Sequence, residues 1–321
     1  MTSARMPLLA ALCLVALAPG TAAAPRSDAL LREHLWRQVQ ALPKNERPKV
    51  GLVLSAGAVR GVAHVGVIQV LEDAGFPIDV VAGTSMGAVV GAFYSAGIGM
   101  TALRTFPQHM TLSSGSDLSK MRLFQLLIND SMLSNKKFEE IMRKWVGDIR
   151  FDQTTKPFAC VAMDLRTGEK IIFREGPLAP AVRASWSMPG MFEPVHYRHR
   201  YLVDGGVVDY IPVDAAKLLG AEWIIASVTQ PDFTKSQPKN VLTTLLQIFD
   251  IRGTILAREQ MAQAHVVIEP DVGDVSFYDV ERAPEVMVKG MRAASRHLQA
   301  AKESFILYTL PKMWKRWLPQ P

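Results

Sequence analysis

One serine of the chain stands in a pattern that makes its hydroxyl a candidate nucleophile. Ser85 lies between Gly83 and Gly87, and this Gly-x-Ser-x-Gly pattern falls between an apolar stretch, 78–82, and an alanine-rich stretch, 88–96. Small residues beside the serine let the backbone turn sharply from a strand into a helix, and the turn holds the hydroxyl exposed. The helix amino end also places a positive dipole near the oxygen. The pattern therefore favours nucleophilic catalysis over the alternative, a tight structural turn.

A serine nucleophile needs a base, and the strongest candidate is a carboxylate. Asp204 ends the apolar stretch 201–203 and is followed by Gly205 and Gly206, which leave free backbone approach to a strand-end site. An ordinary aspartate is a weak base for a hydroxyl at neutral pH. Two further aspartates, each interpreted as a helix cap or a solvated charge, follow at five-residue steps: Asp209 and Asp214.

The seven histidines of the chain do not mark a catalytic triad by their surroundings. His64 falls in a predicted helix, where a structural role is favoured over a catalytic one. His196 and His199 flank basic residues and are predicted to be solvated. A second reading is an α/β-hydrolase triad that recruits His265 or His297 as base. That reading is weaker, because such a fold usually places several strands before its nucleophile and only one strand-helix-strand unit precedes this serine.

The elements that must position these residues alternate between strand and helix. The patterns predict helices at 27–42, 62–74 and 88–96, strands at 50–54, 78–82, 223–227 and 266–269, a hairpin of 158–163 with 170–173, and a small-residue loop at 55–61. Continuous apolar strands separated by a helix are typical of a parallel βαβ unit in an α/β fold. The stretch 110–134 is interpreted as core packing of an amphipathic helix, with a cover over an apolar cleft as the alternative.

The first residues are predicted to be a signal peptide. Arg5 precedes an apolar run at 8–18, which is too short to span a bilayer and is followed by small residues. Cleavage is predicted after Ala23, so we expect an exported, periplasmic or secreted protein. Removal of this leader leaves Cys160 as the single thiol, and the fold must then be stable without an internal disulfide.

The composition is that of an ordinary globular protein. Hydrophobic residues make up 49% and charged residues 21% of the 321 residues, with a formal net charge of +6. These values exclude a collagen-like, disordered or low-complexity chain, and the mild positive charge does not indicate nucleic-acid binding. No ligand-spaced cluster indicates a metal site, and the loop at 55–61 lacks the three-glycine fingerprint of dinucleotide binding.

Three segments resemble the patatin-like phospholipases, also called patatin-like lipid acyl hydrolases, of bacterial exported type. They are the loop at 57–61, the Gly-x-Ser-x-Gly segment at 83–87 and Asp-Gly-Gly at 204–206. Supporting likeness is present at 162–169 and 184–195, and the resemblance extends over roughly 49–227. The resemblance implies a three-layer α/β/α sandwich with a mostly parallel central sheet.

The resemblance also implies a role for each site residue. Ser85 is expected to be the nucleophile and Asp204 the base of a dyad without histidine, with the amides of Gly57 and Ala58 forming the oxyanion hole. Because an ordinary aspartate is a weak base, this dyad predicts a short hydrogen bond between Ser85 and Asp204 in a partly dry cleft. Arg60 and Gly61 are expected to support that loop, Gly83 and Gly87 to shape the elbow, and Gly205 and Gly206 to follow the base. The family usually has two glycines where this chain has Ser55 and Ala56.

The hypothesis from the sequence is a serine hydrolase that cleaves ester bonds of phospholipids or lysophospholipids, without a cofactor or metal. The alternative from another class is a lipid-binding or regulatory protein on the same fold. We expect a signal peptide at 1–23, an N-terminal helix and linker at 24–48, the catalytic domain at 49–275, and a C-terminal helix and tail at 276–321. The basic, aromatic tail at 312–317 is interpreted as an interfacial membrane anchor or as a solvated terminus.

Overall fold

An eight-stranded sheet forms the centre of the computed structural model, which describes residues 26–105, 136–235, 238–277 and 279–317. The strands are β1 Val50–Leu54, β2 Val80–Thr84, β3 Phe158–Asp164, β4 Lys170–Phe173, β5 Val195–Tyr197, β6 Arg200–Asp204, β7 Trp223–Ser227 and β8 Val266–Ile268. Their order is β5-β6-β3-β2-β1-β7-β8, and β4 pairs with β3. The predicted leader at 1–23 and the stretch 110–134 lie outside the described residues.

The sheet is parallel at its centre and antiparallel towards one edge. β1 pairs in parallel with β2 and β7, β2 with β3, and β7 with β8. β3 pairs antiparallel with β4 and β6, and β6 with β5. Every residue of β1, β2 and β7 is buried, as their continuous apolar sequences predict for strands covered on both faces.

Helices cover both faces of the sheet and give three layers. They are α1 Arg26–Gln40, α2 Ala63–Asp73, α3 Met86–Ser95, α4 Lys136–Val146, α5 Leu178–Trp186, α6 Val213–Leu218, α7 Val241–Met261 and α8 Ala283–Trp317. Residues 100–105 are also helical. Leu52 and Ile225 pack into the core under α1, α2, α3, α5 and α8, whereas Val53 and Ala226 pack with α6 and α7. The alternation of strand side chains thus divides the core into two layers, and the predicted fold class is confirmed.

The predicted elements are present, but two boundaries near Ser85 were misplaced. β2 begins and ends two residues later than predicted. Its end extends to Thr84 because Gly83 still pairs with β1 and Thr84 still pairs with β3. Helix α3 begins at Met86, two residues earlier than predicted. The turn between strand and helix is therefore confined to Ser85. The loop at 55–61 is also shorter than predicted, since a 3₁₀ helix covers Ala58–Val62 before α2.

The C-terminal segment is helical and contacts the rest of the domain through one buried side chain and two surface ion pairs. Residues 312–317 form the last turns of α8, where the side chain of Met313 is buried. Lys312 pairs with Glu222 at 3.0 Å, and Arg316 pairs with Glu46 at 2.9 Å. Among the helices in the described ranges, none has the length and apolarity needed to span a membrane.

Candidate active site

Ser85 occupies the single residue between β2 and α3. Its backbone has φ 56° and ψ −123°, a conformation that costs a residue with a side chain roughly 1–3 kcal/mol. The hydroxyl lies at the carboxyl edge of the parallel strands and immediately before the first turn of α3, whose dipole stabilises negative charge on that oxygen. Local strain at one serine between a strand and a helix is the geometry of a nucleophile elbow.

Gly83 and Gly87 are required because the elbow brings backbone atoms too close for a side chain. A Cβ atom on Gly83 would lie 2.3 Å from the carbonyl oxygen of Gly87. A Cβ atom on Gly87 would lie 2.3 Å from the carbonyl oxygen of Leu54 and 2.5 Å from that of Ser55. The two glycines therefore let α3 approach the end of β1, and the loop after β1 passes beside Ser85.

Strand β3 brings Asp204 to Ser85. β4 pairs with one edge of β3, so β2 and β6 must share the other edge, where they meet end to end. Thr84, the last residue of β2, lies opposite Val161, and Asp204, the last residue of β6, lies opposite the next residue, Ala162. The two strands run in opposite directions along this edge, so their carboxyl ends point at each other.

The Ser85 hydroxyl donates a hydrogen bond to Asp204, with 2.5 Å between Oγ and Oδ2. Asp204 is fully buried, and its other oxygen, Oδ1, accepts from the Gly206 amide at 2.8 Å. Burial raises the pKa of Asp204 to about 7, although the hydrogen bonds from Ser85 and Gly206 act to lower it. The short hydrogen bond predicted from the sequence is present. The carboxylate is also a stronger base than an exposed aspartate.

The end of α5 holds both members of this pair, a feature that the sequence analysis missed. The Ser185 hydroxyl accepts a hydrogen bond from the Ser85 amide at 3.0 Å, and the Ser187 carbonyl accepts from the Asp204 amide at 2.9 Å. Both serines fall in the stretch 184–195, whose likeness to the family does not indicate this role. A strained elbow needs such an anchor because nothing within the turn itself fixes the Ser85 amide.

Gly57 and Ala58 lie in the loop after β1, where oxyanion donors are predicted. A Cβ atom on Gly57 would lie 2.1 Å from Thr229 Oγ1, so only glycine fits. Ala58, the first residue of the 3₁₀ helix, has φ 47°, a left-handed conformation. The described residues provide no hydrogen-bond acceptor for the amide of either residue. These two N–H groups can therefore donate to a bound group.

Ser55 and Ala56, which replace two glycines of the family pattern, are accommodated without loss of the loop. Their amides donate to the carbonyl oxygens of Ser227 and Tyr210 at 3.0 and 2.9 Å, so neither is a candidate oxyanion donor. The Ser55 hydroxyl donates to the Ala56 carbonyl at 2.8 Å and accepts from the Thr229 amide at 3.0 Å. Thr229 Oγ1 also donates to that carbonyl at 3.0 Å. The extra side chains fix the start of the loop.

Arg60 and Gly61 anchor the other end of the loop. Arg60 is buried, pairs with Asp250 of α7 at 2.5 Å and donates to the Val275 carbonyl at 3.0 Å. Its guanidinium lies 4.9 Å from the ring centre of Phe277. A Cβ atom on Gly61 would lie 2.7 Å from Met86 Cβ, so the loop packs directly on the start of α3.

Glycine is also required at both positions after Asp204. A Cβ atom on Gly205 would lie 2.4 Å from the Val161 carbonyl oxygen, and one on Gly206 would lie 2.9 Å from the Phe249 ring. These contacts place the turn after β6 between β3 and α7. The Gly206 amide is thereby aimed at the carboxylate.

Within the described ranges, the histidines make no hydrogen bond to Ser85 or Asp204. His64 is buried, contacts Ser227 Oγ at 2.8 Å and the Ser55 carbonyl at 3.0 Å, and has its pKa lowered to about 4 by burial, against the effect of the Ser55 bond. Its predicted structural role is confirmed. His265 accepts from the Ile224 amide near the amino end of β7, and His297 contacts a carbonyl of its own helix. The alternative triad has no geometric support.

The two aspartates after Asp204 form a separate cluster around Lys170. Asp209 is buried, contacts Lys170 at 3.1 Å and accepts from Gln260 at 2.7 Å, so neither of its predicted roles, helix cap or solvated charge, is correct. Burial raises the pKa of Asp209 to about 7, with Lys170 opposing the shift. Asp214 lies in the first turn of α6 and also contacts Lys170.

An apolar cluster adjoins the loop that carries the candidate oxyanion donors. Its members are buried or half-buried side chains contributed by the end of α5 and the segment after it, by α7, by the loop after β1 and by the segment after β8: Met188, Met191, Phe192, Leu246, Ala58, Trp186 and Phe277. Such a surface beside a polar reaction centre suits a substrate with a long apolar group.

The family model of patatin-like phospholipases matches residues 52–217, just over half of the chain, and the protein belongs to this family. An uncharacterized NTE family protein of Mycobacterium tuberculosis is 33% identical over 216 residues, 64% of this chain and 58% of the relative. A second uncharacterized NTE family protein of that organism is 30% identical over 277 residues, 78% of this chain and 46% of the relative. The chain thus spans about half the length of these relatives.

Two further comparisons involve proteins named as phospholipases. The lysophospholipase nte1 of Aspergillus fumigatus is 33% identical over 177 residues, 55% of this chain and 12% of that protein. Human GIVD cytosolic phospholipase A2 superposes with a TM-score of 0.48 and 11% identity, over 91% of this chain and 65% of that structure.

Proposed function

We propose that the protein is a serine lipid acyl hydrolase that cleaves carboxylic ester bonds of phospholipids or lysophospholipids. The observation that carries the proposal is the 2.5 Å hydrogen bond from a strained serine to a buried aspartate beside two unpaired backbone amides. Family membership and the named activity of the fungal relative support an ester-linked lipid as substrate.

The proposed first step forms an acyl-enzyme. Ser85 Oγ attacks the ester carbonyl carbon as its proton passes to Asp204, and the carbonyl electron pair moves to the oxygen. The amides of Gly57 and Ala58 donate to that oxyanion, and each such donor is worth about 3 kcal/mol in the transition state. The intermediate then collapses, the bond to the alcohol oxygen breaks, and Asp204 returns the proton to the leaving alcohol.

The second step releases the fatty acid. Water replaces the alcohol and gives a proton to Asp204, and the resulting hydroxide attacks the acyl carbon. Collapse of the second intermediate breaks the bond to Ser85 Oγ, which regains a proton from Asp204. The same carboxyl acts as base and then acid in both steps. A carboxyl with pKa near 7 suits both directions of proton transfer better than one with an ordinary pKa.

Labelling with a fluorophosphonate, followed by hydrolysis of a panel of phospholipids, lysophospholipids and short esters, tests this proposal. The wild type should form one adduct on Ser85, and Ser85→Ala should lose the adduct and at least about 10³-fold in turnover. Ser95→Ala is the matched control, because Ser95 ends the same helix and the described residues offer its buried hydroxyl no partner. This control should keep both adduct and turnover.

If the wild type forms no adduct and hydrolyses no ester, yet binds lipid, the result would contradict the enzyme proposal and favour a lipid-binding protein. Retained turnover in Ser85→Ala would place the nucleophile elsewhere.

We further propose that the protein is exported. The basis is the sequence at 1–23 alone. Mass spectrometry of protein recovered outside the cytoplasm should give an amino terminus at Ala24, and an intact Met1 there would contradict the proposal.

A further inference from the structure

Helix α7 carries an exposed apolar stripe. Five branched aliphatic residues are between 38% and 76% exposed and recur at helical spacing on the outer side of the helix: Val241, Leu245, Ile248, Ile251 and Ile255. At 1.5 Å per residue the stripe extends for about 21 Å. Exposed apolar side chains are ordinary when scattered, but a continuous row on one helix indicates a surface that meets an apolar partner.

The other side of α7 borders the candidate active site. Leu246 belongs to the apolar cluster that includes Ala58, and Asp250 holds Arg60 of the oxyanion loop. The Phe249 ring lies against Gly206, next to the candidate base. A partner on the stripe would therefore sit one helix diameter, about 10 Å, from the site. Leu245 links the two surfaces, since its side chain is exposed and also lies near Gly190.

The charges beside the stripe select an anionic partner. Within residues 238–261, three exposed cations, Lys239, Arg252 and Arg258, accompany one exposed carboxylate, Glu259. When the apolar stripe of a helix enters a lipid surface, long cationic side chains beside it reach up to the lipid phosphates. This is the arrangement of an interfacial helix.

We propose that α7 is an interfacial helix, whose stripe enters an anionic lipid surface and holds the candidate active site about one helix diameter from it. The proposal rests on the proposed lipid substrate, because a lipid in an aggregate must leave that surface to reach Ser85. α7 would lie in the plane of the interface rather than cross it.

Vesicle flotation and hydrolysis test the proposal on the full chain. Ile248→Glu/Ile255→Glu should weaken binding to vesicles of phosphatidylcholine and phosphatidylglycerol by at least about tenfold, with a similar loss in hydrolysis of vesicle lipid. Hydrolysis of a soluble short-chain ester should change by less than about twofold. Leu218→Glu/Leu307→Glu is the matched control, because it alters two exposed leucines on α6 and α8. This control should match the wild type in every assay.

A second variant tests the charge argument. Lys239→Gln/Arg258→Gln should weaken binding to the anionic vesicles several-fold and leave binding to pure phosphatidylcholine vesicles unchanged. Equal binding of wild type and both variants to anionic vesicles would overturn the proposal.

Two other occupants of the stripe have distinct signatures. An environment-sensitive thiol dye on Ile248→Cys, in a Cys13→Ser background, avoids Cys160 because that thiol is buried. Its emission should shift to the blue only when vesicles are added. A blue-shifted emission without vesicles at monomer concentrations would show that another part of the chain covers the stripe. A wild-type dimer that Ile248→Glu/Ile255→Glu converts to monomer would show that a second copy covers it. Either result would overturn the proposal.

The flotation assay also separates this proposal from the proposed function. If the stripe variant loses flotation and no ester is hydrolysed in a Ser85-dependent way, the result would support α7 as an interfacial helix and contradict the proposed hydrolase activity.

Discussion

Replacement of Asp204 by asparagine should abolish hydrolysis and at the same time stabilise the folded protein. Asparagine has nearly the same shape, its oxygen can accept from the Gly206 amide, and its NH₂ group can donate to Ser85 Oγ. Both hydrogen bonds of the buried group are therefore replaced. The amide cannot take a proton from Ser85, however, so turnover should fall at least about 10³-fold.

The size of the stabilisation follows from the pKa of Asp204. The folded pKa of about 7 lies above the ordinary value of 3.8, so the carboxyl stabilises the folded state less as pH rises from 3.8 to 7, and the loss is complete above 7. The difference of about 3 units corresponds to about 4 kcal/mol at pH 8. Because Asp204→Asn removes this penalty, it should raise the free energy of unfolding by up to about 4 kcal/mol at pH 8. At pH 5 the gain should shrink to about 2 kcal/mol.

Urea unfolding of Asp204→Asn and the wild type at pH 8 and pH 5 measures both values. Asp271→Asn is the control, because Asp271 is exposed and its replacement should change stability little at either pH. An equal gain at both pH values, or a loss at pH 8, would refute the idea that burial strains this carboxylate. Near-normal turnover in Asp204→Asn would show that another group is the base.

Four further measurements test the site and its supports. The value of kcat/KM for a soluble ester should rise with pH up to about 7, because ionised Asp204 is the base, and at pH 5 it should be about a hundredfold below its plateau; a pH-independent profile would exclude this base. Ser185→Ala removes the acceptor of the Ser85 amide. It should lower kcat by about tenfold and the free energy of unfolding by about 1 kcal/mol, whereas an unchanged kcat would show that this bond does not support the elbow. Arg60→Met leaves Asp250 buried without its partner and should cost about 3–5 kcal/mol in urea unfolding, part of which Arg60→Met/Asp250→Leu should recover. Truncation after Leu310 removes buried Met313 and two surface ion pairs and should cost at least about 2 kcal/mol, so an unchanged melting temperature would contradict the observed packing of the tail.

The sequence predicted the parts of the fold that depend on local pattern. Strand β1 has the predicted bounds, because a continuous apolar run between Lys49 and a small-residue loop predicts a buried strand of a parallel sheet with definite ends. The pairing of Ser85 with Asp204 was predicted from the family resemblance rather than from local pattern. The two residues are 119 positions apart, and only the shared edge of β3 shows why they meet.

The features that sequence reasoning missed depend on distant contacts. Gly83 and Thr84 were assigned to a turn, because nothing local shows that β1 and β3 hold them in a strand. Ser185 carries no local sign of its bond to the Ser85 amide, 100 positions away. The ion pairs of Lys312 with Glu222 and of Arg316 with Glu46 join residues 90 and 270 positions apart, so no local pattern shows them.

The meeting of β2 and β6 on one strand has a consequence for how the chain can vary. Because consecutive positions of β3 set the spacing of the nucleophile and the base, the intervening polypeptide does not act as their tether. Insertions between α3 and β3, or between β4 and the start of α5, can therefore grow or shrink while the reacting pair keeps its separation, whereas the end of α5 must keep its place because it anchors the amides of Ser85 and Asp204. A single-residue insertion at the junction of Val161 and Ala162 would instead part the two groups, and no adjustment of the connecting loops could restore them.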